Sequence, residues 1–368
     1  MSKVIICGTD MHDNSLVCRV AVGKEEAKTK RYGNTDSGRK HLFRDLKGMS
    51  MKHGGGRIIV AYEASTHGFC LYDDCRDEGI ECYILAPTKM RKSKKEQKKK
   101  TDESDAQLIL ETIKGHILAG NELPSIWIPD DKTRADRETV RARLDLGTKL
   151  TTVKTQVQTL LKAHRMKKPA DVNKAWTKPY RKWLMSLSMD WPALATLVRQ
   201  IENLEREIMI LDLDIKKLSE IERYAIPSKA LVENIKGVGL LTAMVYLTEM
   251  GDLSRFSSRQ KTGAFLGLAP SSHESGEADD RKGHITREGS FRVRRVLCQA
   301  TWSHVTHGGV ETQLYNRIVK RNPKHKKIAV VAVMRRLGIR MWHIGLNAQK
   351  RANVFNDIEK KVEVKKVA

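Results

Sequence analysis

Aromatic residues make up only 5% of the 368 residues. That scarcity argues against a protein that reads single strands by stacking bases on rings. No uninterrupted apolar run approaches the roughly 18 residues that a membrane-crossing helix needs, which excludes an integral membrane protein. The opening MSKVIICGTD carries a five-residue apolar stretch before Asp10, too short for a secretory leader. Cysteine is also sparse: Cys7, Cys18, Cys70, Cys75, Cys82 and Cys298, with no CxxC pair among them. A zinc site and a disulfide framework are therefore not expected, and the six read as reduced thiols of a cytosolic protein.

Acids are outnumbered, with 44 Asp and Glu against 68 Lys and Arg, a net charge of +24. Such a surplus repels itself and is ordinarily neutralised by a polyanion, nucleic acid ahead of an anionic membrane surface. A surface tuned for solubility would mix the two signs more evenly. Residues 281–351 hold 17 Lys and Arg and two acids, Glu288 and Glu311. Arg281, Lys282, Arg287, Arg292, Arg294 and Arg295 in this stretch are candidate nucleic-acid contacts. A second block, Lys89–Lys100, has eight basic residues in twelve, among them Lys92, Lys94, Lys95, Lys98, Lys99 and Lys100. A block of that kind reads as a flexible arm touching nucleic acid.

The pattern divides the chain into 1–125, 126–225, 226–350 and a charged, frayed tail, 351–368. The first part reads as α/β: a strand from Val4 ending near Asp10, a turn at His12-Asp13-Asn14, and a return strand from Leu16 to Val22. A strand from Arg57 stops at Glu63, a helix spans His67 to Glu78, and another strand runs from Glu81 to Ala86. A further helix starts at Thr101 or Ser104 and continues to about Ile117. The second part is helical. Leu146, Leu150, Val153, Val157 and Leu160 step by four and three, as do Leu194, Leu197, Ile201, Leu204, Ile208, Leu211, Ile215 and Leu218. This is a coiled-coil seam, whose partner is either the other helix or a second subunit. The connector 166–192, with three prolines and three tryptophans, reads as a small packing unit of its own. Past Pro227 the chain reads as all-α, and Ile235-Lys236-Gly237-Val238-Gly239 between two periodic helices fits a helix-hairpin-helix. Lys236, Gly237 and Gly239 could then approach a phosphate, bound by the free N–H groups of the next helix. A tight turn without ligand fits equally.

Four carboxylates stand out by position: Asp10 and Glu63 at strand ends, Asp102 and Asp105 at a helix start. Strand ends and helix starts converge on one edge of an α/β sheet, so the four could share a site. Gathered acids repel one another unless cations lie between them, and two Mg²⁺ ions about 3.5–4 Å apart would satisfy them and activate attack on a phosphate. Taken singly, each also has an ordinary role as a turn residue, an ion-pair partner or a dipole-favoured first-turn acid.

CGTDMH, AYEAS and KTDESDAQ, in this order, resemble the metal motifs of the DEDD insertion-sequence transposases, bridge-RNA-guided recombinases with a RuvC-like, RNase H-like nuclease domain. IKGVG, LGLAPSSHESG and KGHITREGSFRVRRVL resemble that family's C-terminal transposase domain, and the coiled coil lies where the family has one. The resemblance implies that Asp10, Glu63, Asp102 and Asp105 hold Mg²⁺. It also implies that Ser275 attacks a DNA phosphate and holds it covalently, here within Glu274-Ser275-Gly276-Glu277 where the family commonly has Ser-Ser-Gly-Gly. It further implies donor and target DNA, a structured guide RNA, and a homo-oligomer, dimer or tetramer, in a prokaryotic cytoplasm. A water-using RuvC-like resolvase, a site-specific invertase and a non-catalytic nucleic-acid scaffold are the rival readings. Of these, only the scaffold does not require the four acids to meet.

Overall fold

The computed structural model describes residues 3–90, 101–272 and 282–367, with side chains described as far as Ala352 apart from those of Ser272 and Lys282. The chain falls into two units, Met1–Ile128 and Pro129–Ala368.

The first unit is built on a mixed sheet of five strands: β1 (Ile5–Met11), β2 (Ser15–Val22), β3 (Lys28–Gly33), β4 (Ile58–Glu63) and β5 (Glu81–Leu85). Their spatial order is β3-β2-β1-β4-β5. β1, β2 and β3 form an antiparallel meander, whereas β4 and β5 add to β1 in parallel. Alternation sends Ile5, Cys7, Val60 and Tyr62 to one face, where Leu42, Phe43 and Leu46 of α1 (Asp36–Lys52) and Leu71 and Cys75 of α2 (Cys70–Asp77) cover them. Ile6, Ile59 and Ala61 point to the other face, against Ile109, Leu110 and Ile113 of α3 (Asp102–Ala119).

β3 and α1 have no counterpart among the elements expected from sequence. The strand KTKRYG buries only Tyr32, because it sits at the sheet edge and needs no apolar alternation. Its cations also discourage further strands from adding there. The helix expected from His67 begins three residues later, at Cys70, since Gly68 adopts a positive φ of 63° and closes a turn first.

Among the described residues the second unit is helical apart from one two-stranded ribbon. α4 (Asp131–Ala163) and α6 (Pro192–Glu220) lie antiparallel, as the pairs Arg143–Asp212 at 2.7 Å and Lys154–Glu205 at 3.0 Å require. The seam of α6 thus faces α4, with Leu194, Ile201 and Ile215 buried. On α4 the register shifts from the expected one: Val140, Leu144, Val153, Val157 and Leu161 are the buried set, so Leu144 takes the place expected of Leu146. The connector folds onto the pair through Val172 and through Tyr180 and Leu184 of α5 (Lys178–Ser188). Arg181 and Lys154 both bind Glu205 and hold its carboxyl down at about 2.

α7 (Glu222–Asn234) contains Pro227 inside it, so that proline does not open a new segment; the helix forgoes one backbone bond there. α8 (Leu240–Met250) is the core of the unit, buried at every position from Ala243 to Met250. It is joined by α9 (Arg259–Phe265), α10 (Phe291–Thr306), α11 (Thr312–Arg321) and α12 (Lys326–Val367), with β6 (Pro270–Ser272) and β7 (Lys282–Ile285) forming the ribbon. Helical backbone continues to Val367, so the tail expected to fray from Arg351 extends α12. Among the described residues no helix is long and apolar enough to cross a membrane.

Candidate metal centre

Strand parity positions the first two acids. On β1, residues 6 and 8 face α3, so Asp10, two residues further, faces the same side. On β4, Ile59 and Ala61 face α3, and Glu63 follows in the same parity. The strands are parallel neighbours with Gly8 opposite Ala61 and Thr9 opposite Tyr62. Continuing that register by one residue brings Asp10 and Glu63 side by side at one sheet edge.

The cap of α3 positions the other two. Thr101 is the N-cap: its side chain accepts from the Ser104 amide at 3.2 Å, and the Ser104 hydroxyl accepts from the Thr101 amide at 3.1 Å. Of the two starts the sequence left open, the helix uses Thr101, and Asp102 and Asp105 stand one turn apart at its beginning. Gly8 permits the approach. A Cβ there would come within 2.4 Å of the Leu110 amide nitrogen and 2.5 Å of the Ala106 carbonyl, so any larger residue would lever α3 off β1. One turn back from that contact lie the two aspartates.

Asp10, Glu63, Asp102 and Asp105 together line a cleft of about 360 Å³, along with Met11, His12 and Ser65. Burial is the main force pushing the Asp10 carboxyl above its usual range; Asp105 and Asp102 add to it, while His12 pulls the other way. Because this group's folded value is raised, its stabilising contribution is complete at low pH and is lost as pH rises through that value. At neutral pH the metal-free protein therefore carries a cost at Asp10. Asp10→Asn is expected to raise the melting temperature of the metal-free protein at pH 7, with the gap closing as the pH falls through the raised Asp10 value. Added Mg²⁺ should stabilise only the parent chain. Calorimetry in chelator and in Mg²⁺ checks this, and a lower melting temperature for Asp10→Asn in chelator would refute it.

His12 was read from sequence only as part of a turn. Its Nε2 stands 3.2 Å from Asp10 Oδ2 and 3.5 Å from Asp102 Oδ1. That nitrogen faces the two carboxylates at ion-pair distance, while the rest of the ring is 44% exposed. A signal was available, because residue 12 shares the parity of residue 10. A set of hard carboxylate oxygens with an imidazole nitrogen beside them suits a divalent cation.

The other expected site residues fall outside the described residues or belong to the second unit. Ser275, Arg281, Lys92, Lys94, Lys95, Lys98, Lys99 and Lys100 lie outside the described residues. Lys282 is placed only as a backbone position of β7. Lys236 is exposed, and its carbonyl accepts from His304 Nδ1 at 2.6 Å. Gly237 has φ of 83° and packs so tightly on α10 that a Cβ would meet the His304 amide nitrogen at 2.6 Å, whereas Gly239 opens onto free space. Arg287 is exposed in the left-handed region. The remaining three arginines make bonds within the unit: Arg292 to Asp145 at 3.4 Å, Arg294 to the Gly289 carbonyl at 3.0 Å, and Arg295 to Thr148 Oγ1 and the Leu144 carbonyl.

Comparison with known proteins follows the same two-part layout. Residues 7–166 match a DEDD family described as Transposase, a span that includes all four acids. Residues 229–316 match the Transposase IS116/IS110/IS902 family. The protein y4qE of Sinorhizobium fredii, named as a candidate transposase, is 27% identical over 298 residues, covering 81% of this chain and 71% of its own. The transposase for insertion sequence element IS1533 of Leptospira borgpetersenii is 23% identical over 364 residues, 95% of this chain and 98% of its own. With a mixed α/β unit carrying the acids and a helical unit after it, both matched in chain order, the chain belongs to the IS110-type family of insertion-sequence transposases, enzymes that cut and rejoin DNA.

Proposed function

We propose that the chain is a Mg²⁺-dependent DNA recombinase that moves an insertion sequence through a serine–phosphate link, with a structured guide RNA choosing the sites. The observation that carries the reading is the meeting of Asp10, Glu63, Asp102 and Asp105 in one cleft although they come from two strand ends and a helix cap. These carboxylates would hold two divalent ions, which supply charge neutralisation at the scissile phosphate and make a hydroxyl a better nucleophile. Ser275 would attack phosphorus: its oxygen–phosphorus bond forms, the bond to the departing deoxyribose oxygen breaks, and that oxygen takes up a proton. The diester energy is retained in the serine link, so a hydroxyl from a second strand can reverse the step and join new ends.

The finer architecture belongs to the same proposal. An RNase H-like first unit, a coiled coil of α4 and α6, and a helix-hairpin-helix at Ile235–Gly239 would divide the work among catalysis, assembly and backbone contact. Met209, Ile210 and Leu213 remain exposed on α6, which supports assembly into a dimer or tetramer. The net charge of +24 and the 5% aromatic content support holding duplexes by their backbones, with base pairing by the RNA supplying sequence choice. The site of action would be the prokaryotic cytoplasm.

A nuclease or resolvase using water would need the same cleft and no serine. The discriminating experiment is strand exchange on paired donor and target DNA with Mg²⁺, using protein expressed with its native flanking DNA and the RNA recovered alongside it. Joined recombinant strands are expected. Hydrolysed ends without joining would favour the nuclease reading, and strong Mg²⁺-independent binding with no cleavage would leave a scaffold.

A further inference from the structure

We infer that His12 is a nitrogen ligand of this centre. Its Nε2, one oxygen of Asp10 and one of Asp102 would form a three-donor face for a single divalent ion and bias the site towards Mn²⁺ over Mg²⁺. The inference rests on the metal reading proposed above and adds a residue and a preference to it.

The geometry is that of neighbouring donors around one ion. In an octahedral shell with bonds near 2.1 Å, adjacent ligand atoms stand about 3.0 Å apart. The observed separations from Nε2 are 3.2 Å to Asp10 and 3.5 Å to Asp102, and the ligand atoms of the three residues all lie within 4.8 Å of one another. The ring is 44% exposed, but Nε2 itself is turned inward and lies between the two carboxylate oxygens, within ion-pair reach of both. The backbone that carries the ring is also held in place. The His12 amide donates to the Ser15 carbonyl at 2.9 Å, and the His12 carbonyl accepts from Asn34 Nδ2 at 2.8 Å, so both sides of its backbone are pinned. The nearby His67 is engaged elsewhere, with Nε2 at 2.9 Å from Asp13. Imidazole nitrogen favours first-row transition ions, whereas Mg²⁺ keeps to oxygen and water, which gives the preference its direction.

The test uses the full chain with Mn²⁺ as probe. Spin-resonance titration measures affinity, and pulsed spin resonance reads nitrogen-14 modulation from a bound imidazole. The parent chain is expected to show the modulation. His12→Ala should lose it and bind Mn²⁺ about tenfold more weakly. His12→Asp should keep a bound ion without modulation and narrow the Mn²⁺-over-Mg²⁺ preference about tenfold. Bound Mn²⁺ lacking nitrogen modulation in the parent, or modulation persisting in His12→Ala, overturns the ligand assignment and leaves the carboxylate centre standing. Failure of the parent to bind Mn²⁺ at millimolar concentration overturns both. Circular dichroism of His12→Ala and His12→Asp confirms that weakened binding is not unfolding.

Discussion

Replacing Glu63 by glutamine is expected to lower Mg²⁺-dependent DNA cleavage by about a thousandfold, the scale of losing one fixed electrostatic contact to a transition state. Glu63 is the last residue of β4, paired in register with Leu85 of β5, so its backbone is held and only the side chain changes. Glutamine has the same shape but neither the charge nor the second oxygen ligand, so the cleft keeps its form while losing a quarter of its carboxylates. Melting temperature and salt-dependent DNA binding are expected to stay near those of the parent, because the basic residues that dominate affinity are untouched. Cleavage of a pre-formed substrate, followed at saturating Mg²⁺, decides the matter. A variant retaining more than a tenth of parental activity would remove Glu63 from the centre.

Ser275→Ala is expected to abolish the proposed covalent protein–DNA adduct and to reduce strand joining by at least about 10⁴-fold, as removal of a nucleophile does. Metal binding should be unchanged, since the serine is not among the four carboxylates proposed to hold the ions. The neighbouring Ser271 is not expected to substitute, because its hydroxyl donates to the His284 carbonyl at 2.9 Å. Denaturing gels of end-labelled DNA detect the adduct directly. An adduct that survives in Ser275→Ala moves the nucleophile elsewhere. Undiminished cleavage to hydrolysed ends with no adduct in the parent would mean that water, not serine, attacks the phosphate.

Much of the centre could be anticipated because its signals are local. The apolar run from Val4 must end before a charged residue can stand at the strand edge, and the Thr101–Ser104 cap announces a helix start in the same way. Other parts had no such mark. β3 lies at an edge and buries one residue, so its composition reads as loop. The register of α4 depends on which of two leucines meets the facing helices: Leu146 fits the four-and-three stepping, yet Leu144 is the one buried. Arg292, Arg294 and Arg295 read alike as part of a basic surface, yet Arg292 and Arg295 bond to α4 and Arg294 to the Gly289 carbonyl.

The amino-acid sequence alone determined the two-part character of this protein, its need for an anionic partner and the identity of its four acids, because charge balance, alternation and capping act between near neighbours. Tertiary structure alone decided that those acids line one cleft and that His12 stands among them. The reason is physical: Asp10 and Glu63 meet only through a parallel strand pairing, and Asp102 reaches them only because Gly8 lets α3 lie close against β1.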